Sequence, residues 1–173
     1  SLLESANRVP GDVHSLLIQP LLFSLSEMGR VNESVQRGQL ELAKARHHPQ
    51  LSVSSKFNYL YNLAFILLIA EQVDEAELLL FEAAELPFES LGSPSTQIAL
   101  NSSLAGVLRR KGDVTGALEY DRAVLSLVEE IYPPNHHERA RKLSNLGSSL
   151  SSLGRYSEAT EVLRQALDIY QIN

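Results

Sequence analysis

The run Ala140-Arg141-Lys142-Leu143-Ser144-Asn145-Leu146-Gly147, continued by Gly154-Arg155-Tyr156-Ser157-Glu158-Ala159 and closed by Gln165-Ala166-Leu167, decides the fold. Its apolar residues recur three and four apart on either side of Gly154, the spacing of two amphipathic helices broken at a glycine. The same order recurs upstream. Turn positions Gly29, Glu71, Gly112 and Gly154 lie 42, 41 and 42 residues apart. Each follows a column of Leu21, Leu63, Leu104 and Leu146, a column of Leu22, Ala64, Ala105 and Gly147, and a column of Leu25, Leu67, Leu108 and Leu150. Each precedes Val31, Val73, Val114 or Tyr156, then Ser34, Ala76, Ala117 or Ala159. A fixed period of this length makes the chain an array of helix A–turn–helix B units that bury their apolar faces on one another. Short side chains in the second column let the two helices of a unit cross closely.

This column order resembles the tetratricopeptide repeat, with its Leu–Gly/Ala pair on helix A, glycine at the turn, and aromatic and alanine on helix B. The usual period is about 34 residues. Lengthened units with a lead-in such as Tyr132-Pro133-Pro134-Asn135-His136-His137-Glu138, and more faintly Leu91-Gly92-Ser93-Pro94, are similar to those of kinesin light chains and bacterial signalling proteins. A period near 42 also suits HEAT repeats, but the Leu–small pair and the Gly-x-aromatic/Val-x-x-Ala order favour the first family. The resemblance covers roughly residues 13–171 and implies an all-α, right-handed α-solenoid. The expected domain is single, over 1–173, with units near 13–48, 53–87, 95–131 and 136–171.

Several residues depart from the pattern. Leu22 stands in the small column, Ser34 in the alanine column and Asn101 at an apolar opening position. Gly38 is expected to weaken its helix by about 1 kcal/mol relative to alanine. Asp121 takes a place where an apolar residue is expected, which predicts a rotated packing face for that helix. Leu2-Leu3-Glu4-Ser5-Ala6-Asn7 reads as the tail of an earlier helix B, and the chain as a fragment of a larger protein. Ile169, Tyr170 and Ile172 leave the last helix apolar on more than one face, which predicts a covering helix or end-to-end self-association there.

Composition narrows the function. The chain carries 173 residues, 44% hydrophobic, with no cysteine and no tryptophan, so neither disulfides nor thiol chemistry arises. The apolar run Tyr59–Ala70 falls short of the roughly 20 residues a bilayer span needs, so no membrane partner is expected. A net charge of −6 opposes nucleic acid. His47-His48 and His136-His137 lie in linkers without the spacing of a zinc helix, and no phosphate-cradling glycine motif occurs. The serines at 148, 149, 151 and 152 lack a nucleophile-elbow pattern. No metal, cofactor or catalysis is expected. Asn32-Glu33-Ser34 and Asn101-Ser102-Ser103 are read as chance matches to a glycosylation acceptor. The location expected is cytoplasmic.

The resemblance implies that A helices line a concave groove that binds a protein or peptide partner. Spacing assigns that face to Phe23, Tyr61, Asn62 and Phe65 in the first half, and to Arg109, Arg110, Arg141 and Asn145 in the second. Residues 1–86 carry 6 bases and 11 acids, net −5, whereas residues 87–173 carry 9 and 10, net −1. The expectation is a groove apolar and aromatic at one end, polar and basic at the other, suited to a peptide with an apolar anchor and acidic groups. The cations of a carboxylate-clamp co-chaperone are missing. The alternative is a sensor or regulatory segment of a larger bacterial signalling or transcription protein, binding a small molecule or its own effector domain; a third is a structural self-assembly unit.

Overall fold

A computed structural model describes residues 11–48, 50–87 and 93–172, with residues 11–13 described by their backbone alone. The stretches expected to hold an earlier helix B tail, residues 2–7, and part of the second lead-in, residues 91–92, lie outside the described residues. Every regular element among those described is helical: α1 (Gly11–Glu27), α2 (Val31–Arg46), α3 (Val53–Ile69), α4 (Val73–Ala84), α5 (Pro94–Arg110), α6 (Val114–Ile131), α7 (His137–Ser152) and α8 (Tyr156–Ile172). Odd-numbered helices are the A helices of the periodic pattern and even-numbered ones the B helices. They gather into two compact units, Ser1–Gly92 with α1–α4 and Ser93–Asn173 with α5–α8. In the first unit α1 packs on α2 and α3, and α3 packs on α2 and α4. In the second, α5, α6, α7 and α8 each pack on the next.

The turn column has one physical cause. Gly29, Glu71, Gly112 and Gly154 hold φ of 74°, 60°, 85° and 73°. That left-handed residue lets the next backbone N–H reach back to the carbonyl of the last leucine column, from Arg30 to Leu25, Gln72 to Leu67, Asp113 to Leu108 and Arg155 to Leu150, each at 2.9 Å. These are Schellman closures, which satisfy carbonyls that a helix end otherwise leaves open. Starts are fixed too. Ser52, Ser93 and His136 accept a backbone N–H at the head of α3, α5 and α7, and Asp113 does so for α6. Pro20 sits inside α1 without breaking it. Both Pro20 and Leu16 are exposed, so water reaches the Leu16 carbonyl that the proline cannot satisfy.

Two departures from the pattern have a packing explanation. Gly38 is buried, and a Cβ there would stand 2.7 Å from Leu63 Cδ1 and 3.3 Å from Leu22 Cδ1. Gly147 shows the reverse arrangement, its missing Cβ making room for Leu163. Gly38 and Leu163 occupy the same register position, nine residues after the turn, and so do Leu22 and Gly147 on their A helices. The first repeat has therefore exchanged large and small across its helix crossing. Gly38 makes room first for Leu63 of α3 and then for Leu22, which the expectation of a merely weakened helix overlooked. Ser34, in the alanine column, is fully buried and donates to the Leu22 carbonyl at 2.7 Å.

Asp121 also corrects the sequence expectation. The packing face of α6 is not rotated: Ala117, Leu118, Val124 and Val128 are buried beside it. Asp121 is buried with them and compensated by an ion pair rather than turned away.

Candidate functional site

The A helices of each unit present their own surface. In the first unit, Gln19, Leu22 and Phe23 of α1 and Tyr61, Asn62, Phe65 and Ile66 of α3 line a cleft of about 220 Å³. Leu22 and Ile66 form a buried floor. Phe23 and Phe65, 42 residues apart and hence in the same register, stand 46% and 45% exposed at its rim. Tyr61 is half-buried, stacked on Phe57 with ring centroids 5.2 Å apart. Asn62 is buried and supplies the cleft with an amide that can both donate and accept. Four of the residues assigned to the groove from spacing, Phe23, Tyr61, Asn62 and Phe65, are thus brought to one place.

The same three register positions give a different surface in the second unit. Where α3 carries Tyr61, Asn62 and Phe65, α5 carries Ser102, Ser103 and Gly106, and α7 carries Ser144, Asn145 and Ser148. A Cβ added at Gly106 would meet nothing within 4 Å, so the face there is shallow. Ser144 returns its hydroxyl to the Ala140 carbonyl at 2.9 Å. Asn145 is half-buried between these serines.

The cations expected on this half are largely compensated from within. Arg109 donates from Nη1 to Asp121 at 2.6 Å and to Ser149 at 3.0 Å, and the Ser149 hydroxyl donates to the same Asp121 oxygen at 2.6 Å. With Asp121 and Ser149 both buried, this triad ties α5 to α6 and α7. It answers the off-pattern aspartate, and it removes Arg109 from the roster of outward charges. Arg141 pairs with Glu138 at 2.5 Å, and that hydrogen bond holds the Glu138 carboxyl below the usual carboxylate range. Arg110 lies exposed in the last turn of α5, where a cation favours the helix dipole.

Spacing overlooked Lys142. It is buried, its Nζ donates to Ser102 at 2.7 Å, and burial, with Arg141 alongside, pulls its ammonium below the usual lysine range. Asp121 at an apolar position was the available signal for an ion pair; nothing comparable flagged Lys142, because its burial depends on where α5 sits against α7. Among the described residues no cluster of three metal-binding side chains occurs. No described helix is long and apolar enough to cross a membrane.

The family model described as tetratricopeptide repeat matches residues 95–172. The matched stretch is similar to tetratricopeptide repeats and spans α5–α8. No curated protein matches the chain's sequence. Among solved structures, the nearly identical TPR-like repeats from Podosopora anserina, assigned to a kinesin light chain, share 23% identity and a TM-score of 0.74 over 91% of this chain and 75% of that one. BtubC (BKLC) from P. vanneervenii shares 18% identity and a TM-score of 0.82 over 94% and 65%. MamA shares 16% and 0.63 over 91% and 78%. At such identities these likenesses show the fold, an all-helical TPR-like solenoid, including the first unit that the family model leaves unmatched. The tetratricopeptide repeats support a protein–protein interaction scaffold.

Proposed function

We propose that the chain is an interaction module that captures a segment of another protein on its A helices, with the cleft of the first unit as the anchor point. The observation that carries this reading is the pair of half-exposed phenylalanines, Phe23 and Phe65, over a buried aliphatic floor beside the Asn62 amide. Large aromatic rings left half in water at a concave site release favourable free energy when a partner covers them. A peptide adds an apolar side chain to such a cleft and can offer its backbone to Asn62. The A-helix face of the second unit is polar and low in relief and carries no strong basic field, since Arg109 and Arg141 already hold Asp121 and Glu138. The partner segment is therefore defined by its apolar anchor more than by acidic groups.

Selection from a displayed random-peptide library against the full chain tests this reading. Enrichment of peptides with a fixed aromatic or aliphatic residue is expected, and Phe23→Ser/Phe65→Ser should weaken their binding at least tenfold, about 1.4 kcal/mol. Peptides that bind the double variant as well as the parent would place the site elsewhere.

A further inference from the structure

The B helices of the first unit wall a second cleft, separate from the one between its A helices. Both α2 and α4 pack on α3, and between them lies a trough of about 320 Å³. Leu63 and Leu67 of α3 form its buried floor. Each wall is one helix face. Gln39, Leu42 and Arg46 on α2 recur at the spacing of Glu75, Leu78 and Glu82 on α4. Arg46 and Glu82, 36 residues apart, pair across one end. The same offset sets Glu75 against the neutral Gln39 at the other end, two helical turns and about 10 Å away.

The second unit fills the equivalent positions differently. Gly112 and Gly154 answer to Gly29 and Glu71, so Gln39, Glu75 and Leu78 answer to Arg122, Glu158 and Glu161. The Arg155 hydrogen bond and then the charge of Arg122 hold the Glu158 carboxyl below the usual carboxylate range. In the first unit the carboxylate stays, at Glu75, but glutamine replaces the base. The other glutamate has become Leu78, which stands 68% exposed at the trough. The α4 wall is acidic besides, with Asp74, Glu75, Glu77 and Glu82 and no base on the whole helix.

We propose that this trough docks a basic amphipathic helix of another protein, laying aliphatic side chains against Leu78 and a lysine or arginine at Glu75, in the place that Arg122 takes in the second unit. Charge complementarity selects a basic segment. A small amine is the poorer occupant, because one exposed ion pair contributes little by itself. A helix adds an apolar stripe that runs the length of two parallel walls. The site lies apart from the Phe23–Phe65 cleft and does not depend on it.

Isothermal titration of the full chain with a synthetic peptide of about 15 leucines and lysines, the leucines on one helical face, tests this. One-to-one binding is expected. Gln39→Arg/Leu78→Glu installs the second unit's residues at two exposed positions, and should weaken binding at least tenfold with an unchanged circular dichroism spectrum. Glu75→Gln should weaken it about threefold, and Phe23→Ser/Phe65→Ser should leave it as it is. A parent chain that does not bind, or a Gln39→Arg/Leu78→Glu variant that binds as tightly, overturns the proposal. Loss in Phe23→Ser/Phe65→Ser does so too, by placing the peptide on the A helices. Equal binding of a leucine–glutamate peptide refutes the role given to charge. Self-association of the parent that Leu78→Glu abolishes makes a second copy the occupant, and overturns the proposal equally.

Discussion

Glu71 holds a φ of 60° at a position where the other three turns have glycine. A left-handed backbone costs a residue with a Cβ about 1–2 kcal/mol, a cost glycine does not bear. Glu71→Gly should therefore stabilise the protein by roughly 1 kcal/mol, read as a higher urea midpoint at unchanged slope. A lower midpoint would mean that the contacts of the Glu71 side chain outweigh the backbone strain. Lys142 makes the opposite kind of compromise, a buried ammonium with a hydroxyl as hydrogen-bond acceptor. Its folded pKa lies below its unfolded one, so between the two the unfolded chain binds more protons and stability rises with pH. Lys142→Met should raise stability at neutral pH by about 1 kcal/mol, and the advantage should shrink as pH approaches the ordinary lysine range, near 10.4. An advantage independent of pH would show that packing, not desolvated charge, separates the two proteins.

At the scale of the element, the crossing of α1 with α2 shows how a repeat tolerates an irregular residue. Leu22 is buried where the other repeats have alanine or glycine, and Gly38 omits a side chain that would press on both Leu63 and Leu22. Leu22→Ala should cost about 2–5 kcal/mol by opening a cavity. Gly38→Leu alone should destabilise by about 1–3 kcal/mol through overpacking. The double variant relieves the contact with position 22 but keeps the one with Leu63, so its loss should fall below the sum of the single losses while overpacking against α3 persists. Additive losses in a thermal-unfolding cycle would refute the exchange. Asp121 follows the same logic in electrostatic form. An apolar position accepts a carboxylate because Arg109 and Ser149 arrive from neighbouring helices to satisfy it.

For the whole molecule, the division into two compact units sets the expectation that Ser93–Asn173 folds without the rest of the chain. Its four helices bury their own clusters, Leu118 with Leu146, Leu150 and Ala159, and Ala140 with Leu143, Ala166 and Ile169. Expressed alone, this segment should give a helical spectrum and one cooperative unfolding transition, as small single domains usually do. A disordered spectrum would show that the first unit is needed to complete its core.

The sequence by itself determined the all-helical repeat, because a period of 41–42 residues and a left-handed turn column are local signals. Backbone closure needs only the turn residue and the leucine four positions before it, so Gly29, Gly112 and Gly154 declare the fold without tertiary knowledge. Helical spacing also sufficed to group Phe23, Tyr61, Asn62 and Phe65, since residues in one register line one face of successive A helices. Tertiary structure alone decided which charges face outward. Arg109 and Lys142 look like surface cations in a linear reading, yet both find partners 12 to 40 residues away across helix junctions. Whether a long charged side chain reaches water or a buried acceptor depends on how neighbouring helices meet, and neither periodicity nor composition encodes that distance.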